Sequence, residues 1–139
     1  YVIDEPTEQI EKVYNLKGAK GAISIAYAPE EKLLFVVSQS TDNLQILDAT
    51  DGKLKADVKV GAGPLAVVWE PVRKLAYVAN RGSDSVAVVD VNGNLVANLP
   101  GGSYANHVFT DGKGTVWSVN KARGLNDPQG DHISRYAAK

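Results

Sequence analysis

Leu75-Ala76-Tyr77-Val78-Ala79-Asn80 recurs in altered form on both sides of itself, as Leu34-Phe35-Val36-Val37-Ser38 upstream and Val116-Trp117-Ser118-Val119-Asn120 downstream. The aromatic positions step by 42 and then 40 residues. A second series runs in phase with the first: the apolar-Asp pairs Ile3-Asp4, Leu47-Asp48 and Val89-Asp90 step by 44 and 42. Two series in phase make the chain a repeat. One four-stranded propeller blade consumes about 40 to 45 residues, so the spacing predicts an all-β protein of about three four-stranded β-propeller blades.

Working outward from the signature strand, each copy carries the same punctuation. Residues 54–60 alternate apolar Leu54, Ala56, Val58 and Val60 with Lys55, Asp57 and Lys59, the pattern of a half-exposed strand whose outward charges discourage edge pairing. Residues 10–16 occupy the same place and are read as the same outermost strand. A glycine-rich link follows in each copy, Lys17-Gly18-Ala19-Lys20-Gly21, Gly61-Ala62-Gly63-Pro64 and Pro100-Gly101-Gly102-Ser103. Apolar segments with small residues come next, at 22–27, 65–69 and 105–109, as suits an innermost strand between neighbouring blades. Tyr1-Val2-Ile3-Asp4 reads as the tail of a strand and Glu5-Pro6-Thr7-Glu8 as the turn after it. The chain is thus expected to be a single partial propeller over 1–139, with repeats at about 5–48, 49–90 and 91–136.

Composition narrows the function classes. The 139 residues are 44% hydrophobic and 22% charged with net charge −1, so any attraction for a polyanion has to be local. The lack of cysteine excludes disulfides and thiolate metal sites. The longest uncharged apolar run, 64–69, is too short to span a membrane. The chain starts at Tyr1 and contains no methionine, from which a processed product or a fragment is expected.

Candidate chemistry is sparse. Asp4, Asp48 and Asp90 recur at a strand end in every copy, which fits capping of the following turn better than convergence on one ion. His107 is read as equivalent to Val67 and Ile25 on the innermost strand; alone, without a ligand partner at metal spacing, it reads as a hydrogen-bonded core residue. The glycines join strand to strand, not strand to helix, so they do not form a phosphate cradle. No metal and no cofactor are expected. Topology supplies the remaining candidate, because in an up-and-down blade the outer-to-inner link and the loop between second and third strands open on one face. That face collects Arg81, Lys121 and Arg123, which follow signature strands in adjacent blades, with Asn80, Asn120 and Tyr104 as polar and stacking partners for an anion or an unpaired base. Asp42, Asp84 and Asp127 are the neighbouring counterions.

The Tyr77-Val78-Ala79-Asn80 signature, with Val88-Val89-Asp90-Val91 after it and Gly61-Ala62-Gly63-Pro64 before it, resembles the YVTN-family β-propeller repeat proteins, in particular the C-terminal portion of YncE-like members. The resemblance runs from Tyr1 to about Tyr136 and includes the long loop at 121–131. It implies a seven-bladed ring, of which three blades are an arc, an exported or periplasmic location, and no shared catalytic residues. The expected function is a non-enzymatic binding scaffold that recognises an anionic ligand, in particular single-stranded DNA, on the loop face. The alternative is a cell-envelope protein–protein interaction scaffold, and a quinoprotein-like or lactonase-like enzyme ranks below both. A further expectation follows from the open arc: end faces around Ile23, Ile25 and Val36, and around Val108, Phe109 and Val119, are apolar and need cover, from the rest of a propeller or by self-association.

Overall fold

A computed structural model describes residues 2–4, 6–7 and 9–137, and of Asp4 the backbone only. The readings made for Tyr1, Glu5, Glu8 and the Asp4 carboxylate lie outside the described residues. Thirteen strands make up four antiparallel sheets, and no helix occurs among the described residues. β1 (Val2–Asp4) and β2 (Gln9–Lys12) form a two-stranded sheet. β3 (Ala22–Ala28), β4 (Leu33–Ser38), β5 (Asn43–Asp48) and β6 (Leu54–Lys59) pair in that order as one complete blade. β7 (Pro64–Glu70), β8 (Leu75–Asn80), β9 (Ser85–Asp90) and β10 (Leu95–Pro100) form a second. β11 (Ala105–Thr110), β12 (Thr115–Asn120) and β13 (Ile133–Ala137) form a three-stranded third. β2 is shorter than the strand expected over 10–16, and all four of its residues are exposed.

The strands form where β-branched and aromatic residues dominate, and they stop at turns that require left-handed backbone. Lys32 and Lys74 take φ of +52° and +57° between first and second strands, and Asp42 and Asp84 both take +52° between second and third. In every blade the inner strand shifts register at the same place, between Ala22 and Ser24, Pro64 and Ala66, and Ala105 and His107. A bulge repeated at each inner-strand entrance bends the chain from the link into the blade.

Burial is concentrated between blades. Phe35, Val37, Leu44, Ile46 and Val58 of the first complete blade pack against Val67, Trp69, Ala76, Val78 and Val89 of the second. Phe35 and Trp69 stack there at 5.1 Å between ring centroids and 17° between planes. The second interface joins Tyr77, Ala79, Val86 and Val88 to Ala105, Val108 and Val116. Polar ties span the same joints: Val67 N donates to Ser24 Oγ (3.3 Å), Lys74 Nζ pairs with Glu31 (2.9 Å), and Arg73 Nη2 donates to Gly114 O (2.8 Å).

Two details correct the sequence reading. Strand pairing sets His107 opposite Val119, the place of Ala66 opposite Ala79 and Ser24 opposite Val37, so it is not equivalent to Val67 and Ile25. The frame slips by one because the turn after β11 is a residue shorter: Asp111 takes the place of Glu70 and caps its turn with a shorter side chain, accepting from Lys113 N (2.8 Å) and Thr115 N (3.1 Å). The end faces also differ in membership. Ile23 and Ile25 are exposed, with Val36 opposite Ile25 on the same face but buried; Phe109 and Val119 are exposed, whereas Val108 faces the opposite way, into the second inter-blade cluster.

Candidate nucleic-acid interface

Three links and three second-to-third-strand loops do share one face, joined by backbone bonds. Gln39 N donates to Gly21 O, Arg81 N to Gly63 O, and Lys121 N to Ser103 O and Tyr104 O. Side-chain carboxylates carry the joint on to the next blade. Asp42 Oδ1 accepts from Gly63 N (2.8 Å), and Asp84 Oδ1 accepts from Tyr104 N (2.9 Å). Read from sequence alone, Asp42 and Asp84 are only counterions; their recurrence 42 residues apart is the signal that could have shown this role.

The residue that stands out on this face is Tyr104. Gly21 and Gly63 enter their inner strands at φ of +70° and +59°, and at the same step of the third blade Tyr104 takes +49°. A left-handed backbone is uncommon for a bulky residue and costs on the order of 1 kcal/mol. Its ring is engaged by two cations: the Arg81 guanidinium lies 4.6 Å from the ring centroid and the Arg123 guanidinium 4.7 Å. Asp84 completes the cluster by pairing with Arg123 Nη2 at 2.5 Å. Arg81 makes no ion pair among the described residues, and its side chain is exposed.

The six residues singled out in sequence divide into two groups. Arg81, Tyr104 and Arg123 come together around one ring. Lys121 is exposed and lines an adjacent cleft of about 430 Å³ with Ala122, Gly124, Leu125, Asp127 and Asp131. Asn80 and Asn120 are buried beneath the links and already engaged. Asn80 Nδ2 donates to Ser85 Oγ (3.2 Å), while its Oδ1 has no partner among the described residues. Asn120 Oδ1 accepts from His132 N (2.7 Å) and its Nδ2 donates to Gln129 O, which pins the long loop back onto β12. The links pass so close that a Cβ on Gly61 would strike the Asn80 amide, and one on Gly102 the Asn120 amide. Glycine is therefore required at both crossings.

The loop at 121–131 is shaped by Asp127, whose carboxylate accepts from Arg123 N (2.9 Å) and Gln129 N (3.0 Å). Those bonds, that of Arg123 N foremost, hold its pKa below the ordinary value of 3.8, so it stays ionised at neutral pH. Arg123 is thus fixed at its backbone by Asp127 and at its head by Asp84, and the surface carries an ordered guanidinium beside a freer one. Elsewhere, Asp48 and Asp90 cap their turns: Thr50 N donates to Asp48 Oδ1 (2.9 Å), and Asn92 N and Asn94 N donate to Asp90 Oδ1 (2.9 and 2.8 Å). His107 is exposed on β11, not enclosed in a core. Among the described residues no three of His, Asp and Glu gather as a metal site.

No family model matches the chain, and no curated protein matches it. Among solved structures the chain is similar to Kuenenia stuttgartiensis hydrazine synthase, at 23% identity and a TM-score of 0.74, over 93% of this chain and 36% of the other. The chain spans about a third of that structure's length. At this identity the likeness bears on fold alone, and with the repeated four-stranded antiparallel sheets it shows a β-propeller.

Proposed function

We propose that this propeller arc is a non-enzymatic binding scaffold whose loop face recognises an anionic ligand with a planar group, single-stranded DNA being the class that fits best. The observation that carries the reading is Tyr104, a strained aromatic at a glycine position with Arg81 and Arg123 on its ring. Strain of this kind clusters where a surface is built for recognition. A guanidinium offers paired N–H donors to a phosphate, and a ring or guanidinium plane offers a stacking surface to any base regardless of sequence. Lys121 extends the positive edge toward the neighbouring cleft. With Asn80 and Asn120 engaged below the surface, recognition rests on Arg81, Tyr104, Lys121 and Arg123. The finer reading, a YVTN-type propeller of YncE-like character working in the periplasm, rests on the signature strands and their matching turns.

Titration of a fluorescent single-stranded oligonucleotide at low salt tests the proposal. Binding is expected, with log affinity falling linearly in log salt, and Arg81→Ala, Lys121→Ala and Arg123→Ala should each weaken it and flatten the salt slope by about one unit or less. Absence of binding at low salt, or binding indifferent to all three changes, overturns it.

A further inference from the structure

The repeat supplies an internal standard for the loop face, because the two complete blades build the same joint twice. Asp42 and Asp84 both take a left-handed φ of +52° just before the third strand. The backbone oxygen of each accepts from the residue that follows its own outermost strand, Asp42 O from Val60 N (3.2 Å) and Asp84 O from Gly101 N (2.9 Å). One carboxylate oxygen of each accepts from the link into the next blade, Asp42 Oδ1 from Gly63 N (2.8 Å) and Asp84 Oδ1 from Tyr104 N (2.9 Å). Among the described residues, Asp42 closes its joint with these bonds and no ion pair.

Three departures from that standard coincide at the second joint. Tyr104 stands where the first joint has Gly63. The loop at 121–131 brings in Arg123, 39 residues beyond Asp84 in sequence. Asp84 then uses its second carboxylate oxygen, pairing Oδ2 with Arg123 Nη2 at 2.5 Å. None of the three is needed to join the blades, as the first joint shows. Among the described residues Asp84 alone is hydrogen-bonded both to the backbone of Tyr104 and to a guanidinium on its ring. One carboxylate therefore fixes how the Arg123 head, 4.7 Å from the ring centroid, meets Tyr104. Arg81, at 4.6 Å from the same centroid, has no ion pair among the described residues.

We propose that Asp84 is a positioning residue of this site, and that it divides the two arginines between the two parts of a nucleotide. Arg81, unpaired, takes the phosphate; Arg123, neutralised by Asp84 and held against Tyr104, offers its plane to the base. This inference rests on the ligand reading above. The salt dependence of binding counts the cations that neutralise phosphates, and a guanidinium already paired with a carboxylate contributes little to that count. Its planar face stays available for stacking, which a compact ammonium cannot supply. The Arg123 side chain is half exposed, so a base can reach it. A group already held in its bound position also gives up less freedom when the ligand arrives.

The test is the fluorescent oligonucleotide titration repeated from about 20 to 200 mM salt on the wild type, Asp84→Asn and Asp42→Asn, with circular dichroism as the check on folding. Asparagine tolerates the left-handed backbone and its Oδ1 still accepts from Tyr104 N, so Asp84→Asn removes only the pairing with Arg123. Asp42→Asn makes the same change where there is neither ring nor arginine. Asp84→Asn should steepen the salt slope by up to about 0.7, the value of one phosphate contact on a single strand, because Arg123 becomes a free cation. Its affinity extrapolated to 1 M salt should fall by about fivefold or more, as stacking is lost. Asp42→Asn should move neither quantity. Arg123→Lys reads the same division without touching Asp84: the charge stays and the plane goes, so the slope should hold while the extrapolated affinity falls. An Asp84→Asn protein that binds more tightly with an unchanged extrapolated affinity makes Asp84 a mere countercharge and overturns the proposal. A loss with no change of slope, as a structural role gives, or an Asp42→Asn protein that behaves like Asp84→Asn, overturns it equally. A wild type that binds no oligonucleotide at low salt removes the ligand reading and this inference with it, whereas wild-type binding that Asp84→Asn leaves unaltered removes this inference alone.

Discussion

Tyr104 and Asn120 sit on the same face and illustrate how much a residue's backbone decides. Asn120 ends a strand at a place held by Ser38 and Asn80 in the other blades, and a polar residue there reads in sequence as an available group at a loop mouth. In the fold its amide is enclosed and fully engaged, because the long loop leaves His132 N and Gln129 O against it. That contact joins residues nine and twelve apart across an irregular loop, for which local pattern carries no signal. Tyr104 was legible as an aromatic on the loop face, and its left-handed conformation was legible only by setting it against Gly21 and Gly63. Replacing it separates binding from stability. Tyr104→Gly removes strain worth about 1 kcal/mol and loses two cation–π contacts worth about 0.5–1 kcal/mol each. The melting midpoint should move by less than about 4 °C, while oligonucleotide affinity falls by about tenfold or more, as loss of a stacking platform requires. Calorimetry and the fluorescence titration read the two effects separately.

At the scale of elements, the carboxylates that close the turns carry the most exposed liability of the fold. Glu70 ends β7 fully buried, accepting from Val72 N and Arg73 N (both 2.9 Å) and from Arg73 Nε (3.1 Å). Burial alone would raise its pKa; the two backbone donors and the Arg73 guanidinium outweigh that and hold it below the ordinary 4.5. Asp48 and Asp111 are held below 3.8, chiefly by the N–H groups of Thr50 and Lys113 respectively. Asp90 is also held below 3.8: burial opposes this, and Asn94 with its neighbouring backbone donors prevails. A carboxylate with a lowered folded-state pKa stabilises the fold in full above its unfolded value, and that contribution is lost as pH falls through the folded value. Denaturant midpoints should therefore be flat above about pH 5 and fall steadily below about 4.5. Glu70→Gln should cost about 2 kcal/mol at neutral pH by leaving Arg73 and a backbone donor short of an acceptor, and should flatten the acid limb; an unchanged limb would assign the acid loss to the other turns. The strands themselves were legible from the repeated phrase and its alternation. The frame of β11 was not, because a one-residue deletion in the Asp111 turn is silent until Thr110 is seen opposite Val116.

For the whole molecule, the decisive fact is that hydrophobic burial lies between blades and hardly at all within one. Each blade is a thin sheet, so its stability comes from the faces it shares, and a repeat array behaves as a sum of units and nearest-neighbour joints. The second complete blade shares both faces, with Phe35 and Trp69 on one side and Tyr77 and Val108 on the other. The third shares one; the first shares the face turned to the second, and its other face has only the partial cover of the N-terminal segment, where Val2, Tyr14 and Leu16 line a cavity with Ile25, Leu34, Val36 and Leu47 and the Tyr14 hydroxyl donates to Ala49 O (3.0 Å). Amide exchange is governed by the local opening that exposes each bond. Protection should therefore be greatest in β8 and β9, lower in β3, β4, β11 and β12, and least in β1 and β2, as read by mass spectrometry of exchanged peptides. Protection uniform along the chain would show instead that the blades open as one body.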